Sequence, residues 1–151
     1  FLPDERTSKT LKAFVEQAFP DLETRIRLLP RRHLPEQISR TPYAVFHLSD
    51  CLTSQGWLAA LRNRYACSVF PITGVTHSLS YARYGAGFAQ LVWAGTTPRD
   101  CVVATSCAGA AMVTEVFTCL ATLQPGTRPP EVEIIPLGVD CAHFAATDAV
   151  P

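Results

Sequence analysis

Four short polar clusters follow apolar runs in this sequence, and their residue types suit ligand binding and proton transfer. They are His47 to Asp50, Gly74 to His77, Thr105 with Ser106, and Gly138 to Asp140. His77 carries the most chemistry. An imidazole titrates near neutral pH, so it can donate a hydrogen bond to a hydroxyl or phosphate, or act as acid or base. Gly74 permits a backbone turn ahead of it, and Thr76, Ser78 and Ser80 add short hydrogen-bonding groups. Thr105 and Ser106 stand between an apolar strand and a helix. Backbone N–H groups and hydroxyls at a helix start form a natural site for an anion or hydroxyl. The plainer roles are a structural histidine and a simple N-cap, and capping by Ser106 is compatible with binding.

These clusters need a scaffold that brings them to one place. Thr7 or Ser8 is expected to cap a first helix carrying Leu11, Phe14, Val15 and Ala18, which Pro20 ends. Arg25 to Leu29 alternates like an outer strand. Residues 30–42 read as a loop with one helical turn, carrying Arg31, Arg32 and His33. Such a basic cluster is most often solvated surface, and otherwise a contact for an anionic acceptor or a lipid headgroup. Tyr43 to Leu48, Cys67 to Ile72, Cys101 to Ala104 and Val132 to Ile135 read as strands, with Pro71 near the end of the second. Thr53 or Ser54 is expected to cap a helix with Trp57, Leu58, Leu61 and Tyr65. Residues 77–93 suggest a broken helix. Ser106 caps a helix with Val113, Val116, Phe117, Leu120 and Leu123 inward, and Glu115, Thr118 and Thr122 outward.

Short strands alternating with helices imply βαβ units, a mainly parallel sheet and a three-layer, Rossmann-like α/β domain with helices on both faces. Ligands of such sheets bind beyond the carboxyl ends of the strands, which is where the four clusters would lie.

Composition narrows the function classes. The chain has 151 residues, 48% hydrophobic, with 13 basic and 13 acidic side chains. That is ample for a core and excludes a disordered tail. The neutral balance argues against a nucleic-acid binder that works by phosphate neutralisation. Residues 1–40 hold 14 of the 26 charged side chains, so the remainder is sparse in charge. No apolar run reaches the roughly 20 residues of a membrane span. The six cysteines are irregularly spaced, with no C-x-x-C pair, and read as buried free thiols of a cytoplasmic protein with no metal site. Asp50, Asp100 and Asp140 are isolated carboxylates, and Asp100 reads as the residue before a strand. Neither a P-loop nor a G-x-G-x-x-G motif after a strand is present.

Residues 132–144, VEIIPLGVDCAHF, resemble the interdomain junction of the retaining family 4 glycosyltransferases. The segment from Asp100 to Gly109 resembles that family's strand followed by Thr-Ser, and the Pro-x-x-Gly-x-x-His segment ending at His77 resembles its strand-end histidine. The three units stand in family order over about residues 43–144.

The resemblance implies the N-terminal, acceptor-side half of a GT-B enzyme, with residues 1–136 as the Rossmann-like domain and residues 137–151 as the hinge. It implies His77 as the catalytic histidine lining the sugar end of the cleft. Gly74, Thr76, Ser78, Thr105, Ser106 and Asp140 would contact substrate. The implied partners are a nucleotide-sugar donor, an unknown acceptor and a C-terminal Rossmann-like domain, with membrane-surface contact possible. No cofactor or metal is expected. The family's first strand and its paired glutamates have no counterpart in this chain, so the piece alone should not turn over.

Two rival readings stand beside this one. Cys107, in a strand-to-helix elbow, could be the nucleophile of an amidotransferase-like cysteine hydrolase with His143 as its base. The chain could also be a non-catalytic α/β binding module.

Overall fold

A computed structural model of the chain describes residues 1, 4–80, 84–93 and 95–138. Helices α1 (Glu5–Ala18) and α2 (Leu34–Arg40) precede the sheet, with short 3-10 turns at Pro20–Arg25 and Arg31–His33 between them. Then come β1 (Phe46–Leu48), α3 (Cys51–Tyr65), β2 (Ile72–Val75), α4 (Tyr84–Trp93), β3 (Cys101–Ala104), α5 (Cys107–Leu123) and β4 (Glu131–Ile134). The four strands form one parallel sheet in the order β1-β2-β3-β4, so the α/β class expected from the sequence is present.

This order decides where the helices go. Each strand is added beside its predecessor in the same direction, and a right-handed crossover then places each connecting helix on the same face. Helices α3, α4 and α5 accordingly lie side by side. Beneath them Cys51, Phe88, Leu91, Val92, Val102, Val113 and Phe117 make one core cluster. A second cluster joins Leu34 and Ile38 of α2 to Leu58, Ala59, Phe70 and Ile72. Alternation sends His47, Thr73, Val75, Cys101, Val103, Glu131 and Glu133 to the opposite face. Of these only Val103 is buried.

Several elements differ from the sequence reading. Arg25 to Leu29 forms no strand. Most of residues 30–42 is helical, as α2 and a 3-10 turn. The second strand starts at Ile72, so Pro71 precedes it rather than ending it, and the Pro71 carbonyl accepts the Phe46 N–H at 2.9 Å. Gly74 therefore lies inside β2, not after it. The first helix is capped by Asp4 and α3 by Asp50. In both, the expected threonine is the residue that the true cap holds. Thr7 N–H donates to Asp4 at 2.7 Å and Thr53 N–H to Asp50 at 3.0 Å. Ser106 does cap α5, accepting from Gly109 N–H at 3.1 Å. Val113 and Phe117 are buried as expected, but Leu123 is 82% exposed.

The amino ends of the central strands are tied by charge. Asp100 and Arg62 are both fully buried and form a bidentate pair at 2.5 and 2.9 Å. Arg62 also donates to the Phe70 carbonyl at 2.8 Å. The Asp100 carboxylate accepts backbone N–H bonds from Ile72 at 2.8 Å and Thr97 at 2.6 Å. A buried ion pair holds only when its remaining lone pairs and protons are satisfied, as they are here. Asp100 is thus the anchor of α3, β2 and β3.

Candidate functional site

The polar clusters after β1, β2 and β3 do share the carboxyl edge of the sheet. Beyond β1, the half-buried Asp50 is committed to capping α3 through Leu52 N–H at 3.2 Å, Thr53 N–H, and the Thr53 hydroxyl. Beyond β2, the chain continues as Thr76, which is buried. Its N–H donates to the Val103 carbonyl at 2.9 Å, and its hydroxyl oxygen accepts the Thr105 N–H at 3.4 Å. Thr76 therefore ties the loop after β2 to the loop after β3, and its side chain does not face solvent.

That tie leaves His77 exposed at the edge. Its Nε2 bonds the backbone carbonyl of Ser49, across from the loop after β1. A carbonyl can only accept, so Nε2 carries the proton. In the neutral ring Nδ1 is then the acceptor; in the imidazolium both nitrogens donate. Ser78 is exposed and pairs with the Ser80 hydroxyl at 3.0 Å. Leu79 packs back into the core cluster, close to the first turn of α5, which seats the loop.

Thr105 is half-buried and Ser106 exposed. The Ser106 hydroxyl caps α5, whose first turn carries the N–H groups of Cys107 and Ala108. Beyond β4, Ile135 N–H donates to the Ala104 carbonyl at 3.0 Å, and the exposed chain runs to Gly138. Asp140, like Val139, Cys141 and His143, lies outside the described residues.

Gly74 has a different job from the one its type suggested. A Cβ there would meet the Cα of Cys51 at 2.8 Å and the Oε1 of Gln55. The glycine lets α3 lie directly on β2, and no space remains beside it for a ligand. Gln55 is buried there and donates to the carbonyls of Ile72 and Cys101 at 3.3 and 3.1 Å, bridging α3 to two strands. His47 also departs from its expected place after β1. It lies within the strand on the face opposite α3, bonded through Nδ1 to the Thr73 hydroxyl at 2.7 Å.

The thiols separate by environment. The five described cysteines are free, but only Cys51 is buried, while Cys67, Cys107 and Cys119 are exposed. Burial, then the neighbouring Asp50 charge, pushes the Cys51 thiol up to about 12. Burial also raises Cys101, against a backbone hydrogen bond at Glu133. Both are poor nucleophiles near neutrality. Cys107 occupies the predicted elbow, but no non-glycine residue among those described has a positive φ, so the strained turn of a nucleophile elbow is not formed. No cluster of three or more metal-ligating side chains occurs among the described residues. None of the described helices is long and apolar enough to cross a membrane.

Sequence reasoning missed the Ser49 carbonyl as the group that orients His77. It also missed Arg62 as the partner of Asp100. A lone arginine on the buried side of a helix and an aspartate just before a strand were the available signals. By fold and edge this is a parallel α/β domain with its polar loops at the carboxyl ends of the strands. Compared with known proteins, the chain matches no family model, no curated protein and no solved structure.

Proposed function

We propose that this chain is the acceptor-side wall of a retaining glycosyltransferase that moves a sugar from a nucleotide-sugar donor. The observation that supports this best is the setting of His77. It is an exposed imidazole on the carboxyl edge of a parallel sheet, oriented through Nε2 by the Ser49 carbonyl, with Nδ1 not engaged by any described residue. The neutral ring would accept a hydrogen bond from a sugar hydroxyl through Nδ1. The imidazolium would donate there and offset negative charge developing on a departing phosphate. The Ser106 hydroxyl and the first turn of α5 offer hydrogen-bond donors on the same edge.

In this reading Thr76 and Gly74 are positioning residues. Thr76 fixes the loop that presents His77, and Gly74 sets the distance of α3 from the sheet. Donor binding would fall to a second domain, and the reaction needs no group beyond the two domains and their substrates.

The natural full-length protein, incubated with a panel of nucleotide sugars, tests the reading. Release of nucleoside diphosphate with retained anomeric configuration is expected. His77→Ala should lower turnover by about 10²-fold, the scale of losing one oriented hydrogen-bonding group at a reacting centre. Full activity of that variant removes His77 from the mechanism, and no consumption of any nucleotide sugar ends the glycosyltransferase reading.

A further inference from the structure

A cavity of about 190 Å³ opens between β1 and the first turns of α3. Its walls are Phe1, Leu34, Phe46, Leu48 and Leu58, with Ser54 at one side. Leu34 and Leu58 are almost fully buried, so the floor is rigid core rather than loop. At the mouth, Arg31 lies over the Trp57 ring with its guanidinium carbon 4.6 Å from the ring centroid. Trp57 is 43% exposed. The cation–π contact holds the guanidinium beside the opening while leaving its N–H groups available. Arg32 follows and donates to His33 at 3.4 Å. Among the described residues neither Arg31 nor Arg32 has a carboxylate partner, a state shared with several other surface arginines; what sets Arg31 apart is its place on the Trp57 ring at the cavity mouth.

An apolar cavity with an unneutralised, positioned cation at its mouth is complementary to one kind of molecule. We propose that it binds a soluble amphiphilic anion, with a hydrocarbon end in the cavity and a phosphate group on Arg31. The volume is below the roughly 300 Å³ at which pockets for whole drug-sized ligands begin, so one end of the ligand enters and the head stays at the rim. No residue of the His77 loop lines the cavity, although Leu48 in its wall adjoins Ser49, and occupancy of the cavity does not depend on glycosyl transfer.

The test is calorimetric titration of the chain with octyl phosphate below its micelle concentration, beside octanol and inorganic phosphate. Octyl phosphate should bind at least tenfold more tightly than either, because each of the others supplies half of the complement. Ser54→Phe fills the cavity and should abolish binding. Arg31→Gln, at an exposed position, should leave the fold intact, weaken octyl phosphate about tenfold, leave octanol unchanged and reduce the dependence on salt. Equal binding by Ser54→Phe, or unchanged affinity and salt dependence in Arg31→Gln, overturns the proposal. So does binding to phosphatidylglycerol vesicles without binding of monomeric octyl phosphate, which would make the cluster a membrane-surface contact instead.

Discussion

The two ends of the sheet are built in opposite ways. At the amino end, Asp100 and Arg62 are fully buried, and the Asp100 carboxylate is shared among one guanidinium and two backbone N–H groups. At the carboxyl end, His77, Ser78 and Ser106 are exposed and each is held by one or two local bonds. Polar residues serve at both ends, but burial decides what they do. Removed from water and fully satisfied, they fix strands to helix. Left in water on short loops, they remain available to a ligand. The buried anchor and the candidate site are thereby placed about one strand length apart, so that each can be perturbed alone.

The largest effect expected is at the buried end. Asp100→Ala strands the Arg62 charge and two backbone N–H groups, and should cost about 3–5 kcal/mol in urea unfolding. A cost under about 1 kcal/mol would break the contrast. Gly74→Ala should cost about 1–3 kcal/mol, because the new methyl meets the backbone of Cys51 and that helix cannot yield cheaply. Pairing it with Gln55→Ala should not rescue it, since the Cys51 Cα at 2.8 Å remains; full recovery would show that the side chain alone sets the spacing. Ser106→Ala removes the α5 cap and should cost about 1 kcal/mol by thermal unfolding. The smallest effect is expected for His77→Ala, within about 0.5 kcal/mol of the parent, as at most exposed positions. A cost above 1 kcal/mol there would make the Ser49 bond structural and erase the division between the two ends.

What could be read from the sequence follows the same division. β3 and α5 were legible because Cys101 to Ala104 is a central, apolar strand and the Thr105-Ser106 pair that follows stands directly before a helical run of apolar residues. The caps of α1 and α3 were misplaced by three residues, since Thr7 and Thr53 also suit the role and only geometry shows the aspartates holding them. β2 lies further along the chain than the apolar run from Cys67 to Ile72 suggests. Val69 in that run is 58% exposed, and Gly74, which looks like a turn residue, is needed inside the strand. Arg25 to Leu29 has a strand pattern, but none of the described strands pairs with it, and pairing partners lie far off in sequence. For the candidate site, residue type singles out His77 and Ser106, which the structure places exposed on the carboxyl edge. Residue type could not show that Thr76 is turned inward or that His77 rests on Ser49, because both depend on which strands are adjacent.

The Arg62–Asp100 pair also sets an order of events during folding. Each strand docks beside the one made just before it, so the architecture is suited to assembly from the amino end. Yet the Arg62 guanidinium cannot leave water until its counter-charge arrives, 38 residues later. β1, α3 and β2 without residue 100 should therefore be destabilised, because Arg62 lacks its buried counter-charge. A nascent chain ending before residue 100 should remain open at the α3–β2 junction, which protease sensitivity of a chain truncated there would show.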